Sequence, residues 1–255
     1  MDAFSAIVGE KYALQHSDEI QPFVTEMRGV WPGATPLVLR PASTDEVSKI
    51  MALAYEINIA IFPQGGNTGL VGAQTPTSDS PQIVLSLGRM NVIRHVDAIG
   101  NTMVVEAGCI LQTLQEAADA EDRLFPLSLG SEGSCQIGGN ISSNAGGTGV
   151  LAYGNTRDLV MGLEVVLADG RIWNGLNRLK KNNTGYDMKH LFIAGEGTLG
   201  IVTAAVLKLF PKPKGTSMAL AALDSPQQAL GFFNNMQSAC GPSLTAVELV
   251  ERRPF

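Results

Sequence analysis

Glycine is the residue whose spacing could do chemistry in this 255-residue chain. Of 28 glycines, four lie in 63–72, eight in 130–154 and three in 195–200. Clustered glycine marks tight turns or close approach of backbone to another group. The first cluster, Pro63-Gln-Gly-Gly-Asn-Thr-Gly-Leu-Val-Gly72, directly follows a predicted strand. Successive backbone N–H groups in such a turn form an anion-binding nest, which needs no lysine or arginine. An acidic protein could hold a diphosphate there; the same residues also suit an ordinary tight loop. The second cluster runs from Leu129 to Gly147, as LGSEGSCQIGGNISSNAGG. Its small residues leave room for a flat ligand against the backbone. Ser134, Asn140, Ser143 and Asn144 supply neutral donors and acceptors. A flexible linker is the plain alternative, but Cys135, Ile137 and Ile141 need burial. The third cluster, Gly195-Glu-Gly-Thr-Leu-Gly200, matches GxGxxG. That dinucleotide fingerprint requires a helix after the last glycine. Ile201-Val-Thr-Ala-Ala-Val206 reads instead as a strand, so a Rossmann site is not expected.

Other chemistry is thin. His16, His95 and His190 have no metal-ligand spacing, and neither a GxSxG elbow nor a Walker loop occurs. Asp187 and Lys189 beside His190 read as solvated charges, and Cys135 as a small buried thiol. The chain is 45% apolar and 16% charged with net charge −6. That excludes disorder and argues against nucleic-acid binding. No apolar run reaches the ~18 residues of a membrane span, and no signal peptide is visible. Cys109, Cys135 and Cys240 form no CxxC pair, which suits a reducing compartment. A cytoplasmic location is expected, with peripheral membrane association left open.

These loops need elements to hold them. Residues 1–35 predict a short helix and loops, interrupted by Pro22 and Pro32. Leu37–Leu39 is a strand. Ser43 and Glu46 form a capping box that opens a helix over 44–57. Ile59–Phe62 and Ile83–Leu87 are strands, and the first strand, helix and next strand read as a small βαβ unit. Met103–Ala107 is a strand and 110–120 an amphipathic helix. Residues 126–156 predict a long functional loop. Leu163–Leu167 and Arg171–Trp173 form a hairpin across Asp169-Gly170. Leu191–Ala194 and Ile201–Phe210 read as strands. After a Pro/Lys linker at 211–215 the pattern restarts as strand 218–223, a helix capped by Ser225, and strand 243–250.

Taken in order, the clusters resemble the FAD-binding domain of the vanillyl-alcohol oxidase / p-cresol methylhydroxylase superfamily. More narrowly, the chain resembles its FAD-linked D-2-hydroxyacid dehydrogenase branch: the D-lactate, D-2-hydroxyglutarate and glycolate dehydrogenases. The resemblance rests on Pro63–Gly72, Pro126–Gly147, GLEVVLADG at 162–170 and NTGYDMKHLFIAGEGTLGIV at 183–202, and extends over 36–213.

The resemblance implies an α+β, two-subdomain FAD-binding domain of this type over 36–214. Residues 216–255 would then be the first βαβ unit of a cap domain whose remainder lies beyond the chain. Pro63, Gly65, Gly66, Asn67, Thr68, Gly69 and Leu70 would wrap the pyrophosphate. Gly130, Ser134, Gly138, Gly139, Asn140, Ser143, Asn144 and Gly146 would run along the ribityl chain and flavin. Glu196, Gly200, Ile201 and Val202 would sit near the adenosine. Covalent members often carry a histidine in the first loop; Asn67 stands there, so non-covalent FAD is expected. The implied reaction is hydride transfer from a D-2-hydroxy acid to flavin N5, with a separate electron acceptor. No residue here matches the family's base, metal ligands or carboxylate-binding arginine. A homodimer stays open. The alternatives are a non-catalytic FAD-binding module completed by another chain, or a superfamily member with other chemistry, such as an ether-lipid synthase or cell-wall precursor reductase.

Overall fold

The computed structural model describes residues 1–76 and 82–250. The first sheet has the order β1-β2-β4-β3, from Ala13–Leu14 (β1), Leu37–Leu39 (β2), Ala60–Gln64 (β3) and Gln82–Ser86 (β4). β2, β4 and β3 are parallel, and β1 is antiparallel to β2. Both faces of this sheet are covered, which is why its strands read as unbroken apolar runs. Leu37, Leu39, Ile83 and Leu85 face the main core with Val47, Ile50 and Ala54 of helix α3 (Thr44–Glu56). Val38 and Val84 face Ile20 and Val24 of helix α2 (Ser17–Val24). α2 runs through Pro22, expected as a breaker; burial of Ile20 and Val24 outweighs the missing N–H. Helix α1 (Asp2–Val8) buries Phe4 and Val8 in the main core. Ser43 Oγ accepts the Glu46 N–H at 3.2 Å, as the capping box requires. The Glu46 carboxylate reaches back to the Ala42 N–H at 2.8 Å, one residue earlier than expected.

The second sheet is antiparallel, order β5-β6-β10-β8-β9. It comprises Ile93–Asp97 (β5), Thr102–Glu106 (β6), Val160–Val166 (β8), Ile172–Asn174 (β9) and Ile201–Lys208 (β10). β10 is its central strand and is buried from Ile201 to Leu207. Helix α4 (Leu111–Ala120) buries Leu111, Leu114 and Ala118 in the same core. A small ladder of Arg123–Leu124 (β7) and Phe210–Pro211 (β11) closes the far end.

Four expectations are corrected. Residues 126–156 are not one loop: they contain short helices α5 (Ile137–Ser142), α6 (Val150–Tyr153) and α7 (Thr156–Leu159). Tertiary contact overrides weak propensity in α5, where Ile137 and Gly138 donate to the Cys109 and Ala107 carbonyls at 2.9 and 2.8 Å. Residues 191–194 are not a strand: helix α8 (Lys189–Phe192) takes the first two, and Ile193 is its C-cap. A short apolar run does not distinguish the two states. Arg157 decides it, donating to the His190 and Ile193 carbonyls at 3.1 and 2.7 Å. Finally, neither 218–223 nor 243–250 is a strand. Met218 and Leu220 are exposed, and no described residue pairs with these segments. Only the helix between them forms: α9 (Pro226–Cys240), with Ser225 Oγ accepting the Gln228 N–H at 3.3 Å.

Candidate functional site

The three glycine clusters converge on one cavity of about 270 Å³ between the two sheets' loops. Gly66 lies so close to the Ser134 carbonyl that a Cβ there would overlap it. A Cβ on Gly65 would meet Gln136 Cβ at 3.3 Å, and one on Gly197 would meet Pro63 Cγ at 2.6 Å. The third cluster is bonded to the second: Ala194 and Glu196 donate to the Ile141 and Ser142 carbonyls at 3.2 and 2.9 Å. A Cβ on Gly138 would meet Ala107 Cβ at 2.8 Å, so α5 lies directly on the end of β6.

Most predicted site residues line the cavity. Pro63 comes from the end of β3, Gly65, Gly66, Asn67, Thr68 and Gly69 from the loop after it, and Gly138, Gly139 and Asn140 from α5, with Ser143 at its C-cap. Glu196, Gly200, Ile201 and Val202 come from the third cluster and the start of β10. The cavity is open above Gly139, where a Cβ would meet nothing within 4 Å.

Five predicted residues are not brought to the lining, and a sixth takes a different part. Leu70 is exposed beyond the rim, and Gly130 faces open space. Ser134 lies behind Gly66 with its hydroxyl on the Ser131 carbonyl at 3.4 Å. Asn144 accepts the Arg157 N–H at 2.9 Å, and a Cβ on Gly146 would meet Asn155 Oδ1 at 3.3 Å. Asn67 lines the cavity, but its amide is engaged elsewhere. It donates to the Pro22 and Thr25 carbonyls at 3.1 and 2.8 Å and accepts from Gln74 at 3.2 Å. Asn67 thus pins the first loop to the end of α2, with φ 54° giving the turn its left-handed residue.

Gln64, Gln74 and Gln136 were not foreseen. Gln64 is buried and donates to the Phe23 and Gln74 carbonyls at 2.8 and 3.2 Å, bracing the loop from beneath. Gln136 stands between buried Cys135 and Ile137, and a polar side chain there was the available signal.

The hydrogen-bonding state of the lining is unusual. The backbone N–H groups from Gly65 to Gly69 donate to no described residue. The side-chain oxygens of Gln136 and Asn140 are buried without a partner. A buried polar atom left so costs about 1–3 kcal/mol, so such atoms in a cavity point to a ligand that satisfies them. Among the described residues, Glu196 is the only ionisable one in the lining, and none there is a lysine, arginine or histidine. β10 does follow Gly200, so the GxGxxG string leads into a strand, as expected.

Comparison with known proteins agrees with this geometry. Residues 35–175 match the family model described as FAD binding domain. The chain is 45% identical over 219 residues to the mitochondrial D-2-hydroxyglutarate dehydrogenase of Danio rerio, covering 86% of this chain and 41% of that protein. It is 40% identical to a D-2-hydroxyglutarate–pyruvate transhydrogenase of Saccharomyces cerevisiae, covering 93% and 48%. The chain thus spans less than half the length of these relatives. Among solved structures, alkyldihydroxyacetonephosphate synthase superposes with TM-score 0.74 at 24% identity, covering 84% of this chain and 41% of that one. p-Cresol methylhydroxylase with substrate bound gives 0.70 at 24%, covering 84% and 43%. These two show the fold, a mixed α+β domain of the p-cresol methylhydroxylase type. The cytoplasmic expectation is overturned: the relatives from Danio rerio, Bos taurus and Arabidopsis thaliana are named mitochondrial. Free cysteines report a reducing environment and do not choose among compartments. With the nest, the unpaired amides and the match over 35–175 in agreement, this chain belongs to the FAD binding domain family.

Proposed function

We propose that the cavity holds FAD non-covalently and that this chain supplies the flavin-binding half of an oxidoreductase acting on a D-2-hydroxy acid. The observation that carries this reading is the convergence of unpaired donors and unpaired acceptors on one cavity without cations. The Gly65–Gly69 amides fit a diphosphate, which they hold by directed N–H groups rather than by charge. Gln136 and Asn140 present acceptors to the N–H edges of a flat heterocycle. The bare Gly139 leaves the space a ring system needs. Ile201 and Val202 offer strand backbone to the adenosine end.

When bound, FAD would supply the hydride-accepting, two-electron chemistry that turns a D-2-hydroxy acid into its 2-oxo acid. The chain's own lining orients the cofactor and keeps one side of it dry. Among the described residues it offers no cation for the substrate carboxylate, and its one ionisable side chain is Glu196, which we place at the adenosine end rather than beside the hydroxyl proton. We assign the base and that cation to residues outside the lining, and the substrate class follows the names of the relatives.

The test has two arms. Acid precipitation of the FAD-loaded chain is expected to release all flavin into the supernatant; a yellow pellet contradicts non-covalent binding. D-2-hydroxyglutarate and D-lactate are then offered with a dye acceptor. Turnover below about 1 s⁻¹, the low end of ordinary kcat values, is expected of this chain alone. Faster turnover would show that the base and cation lie within it.

A further inference from the structure

We infer that Glu164 and Thr203 are positioning residues for the cofactor cavity, acting through a bulge in the central strand. This rests on the FAD reading above. β10 pairs with β8 as Val202↔Val165 and then Ala204↔Glu164, so Thr203 is an extra residue. A bulge bends its strand and re-aims the neighbouring residues, and bulges recur beside active sites. Here the bulge directly follows Ile201 and Val202, which line the cavity. Thr203 is wholly buried. Its hydroxyl donates to Glu164 Oε1 at 3.0 Å, and its carbonyl accepts the N–H of Ala107, another lining residue, at 2.9 Å.

Glu164 is itself held from three sides. The same oxygen accepts the Thr44 hydroxyl at the start of α3 at 2.7 Å and lies 3.3 Å from Arg94 Nη2 on β5. Arg94 also pairs with Glu106 at 3.3 Å, on the residue before Ala107. One carboxylate oxygen thus ties the first sheet's helix, the edge of the second sheet and the bulge into one frame. Two lining residues, Val202 and Ala107, hang directly on Thr203.

The test measures FAD affinity by quenching of flavin fluorescence, the visible circular dichroism of bound flavin, and the melting temperature without FAD. Thr203→Val keeps the shape and removes the hydroxyl; affinity should fall about tenfold, the scale of one hydrogen bond to a charged group, with altered dichroism. Thr203→Ser restores the hydroxyl but deletes a methyl, so it should melt lower yet bind FAD within about twofold of wild type. Thr44→Val removes a second donor to the same oxygen and should also weaken FAD binding. Wild-type affinity in both valine variants, or equal losses in Thr203→Ser and Thr203→Val, overturns the inference. Failure of the wild-type chain to bind FAD overturns the functional reading, and this inference with it.

Discussion

The backbone N–H of Glu196 donates to the carbonyl of Ser142 at 2.9 Å, joining two glycine-rich segments far apart in sequence. Glu196 has φ 48° and so turns its chain sharply at that bond. The bond holds the third cluster, which leads into β10, against the end of α5.

Two glycines of the site should respond in opposite ways to alanine. At Gly66 a Cβ overlaps the Ser134 carbonyl, so Gly66→Ala must displace backbone and should lower both stability and FAD affinity. At Gly139 a Cβ meets no protein atom and lies in a helix. Alanine there raises helix propensity by about 1 kcal/mol, so the unliganded protein should melt no lower than wild type. FAD affinity should nonetheless fall, because the methyl takes space on the open side. Thermal melts with and without FAD check both variants.

Asn140 carries a buried oxygen without a partner. Asn140→Ala removes that liability, so stability without FAD should change little. FAD binding should weaken about tenfold, the effect of leaving one ligand donor unpaired at about 1.4 kcal/mol. Isothermal titration with FAD reads the difference.

The pattern above shows what was legible in the sequence. The first loop and the second cluster's part in the cavity were visible because glycine-rich runs beside buried apolar residues invite close approach of backbone, but α5 within that stretch reads from sequence as loop. The strands of the second sheet were visible from β-branched runs such as Ile201–Val206. What was not legible depends on partners. Asn67 lines the cavity, but its side-chain amide holds α2, since a sequence does not say which carbonyls a side-chain amide will reach. α8 looked like a strand because the Arg157 bonds that finish it come from more than thirty residues away. Gln64 and Gln136 were overlooked because burial of a single glutamine leaves no periodic mark.

Acid should loosen the loop that backs the first cluster. The Arg28 N–H, with those of Trp31 and Val30, holds the Glu26 carboxyl below its usual 4.5. A depressed folded-state pKa stabilises the fold above the unfolded value and is lost as pH falls through the folded one. Glu26 therefore contributes fully above about pH 4.5 and progressively less below it. Trp31 packs on Gly72, so its fluorescence in a Trp173→Phe background should shift below that pH. Glu26→Gln should remove that part of the pH dependence.

The thiols should separate by reactivity. Burial pushes Cys109 up to about 11, leaving almost no thiolate at pH 8. Cys135 is buried as well, while Cys240 is partly accessible. Iodoacetamide on the native protein should label Cys240 first and spare Cys109, as read by peptide mass spectrometry. Rapid labelling of Cys109 would show that the core around it opens.

The central claim is that unpaired amides and two lone side-chain oxygens grip FAD without positive charge. Reconstitution with excess FAD, followed by desalting and an absorbance scan, tests it most directly. The account predicts flavin bands near one equivalent per chain, largely retained at high salt because no ion pair holds the cofactor. A colourless protein that is folded by circular dichroism would contradict it.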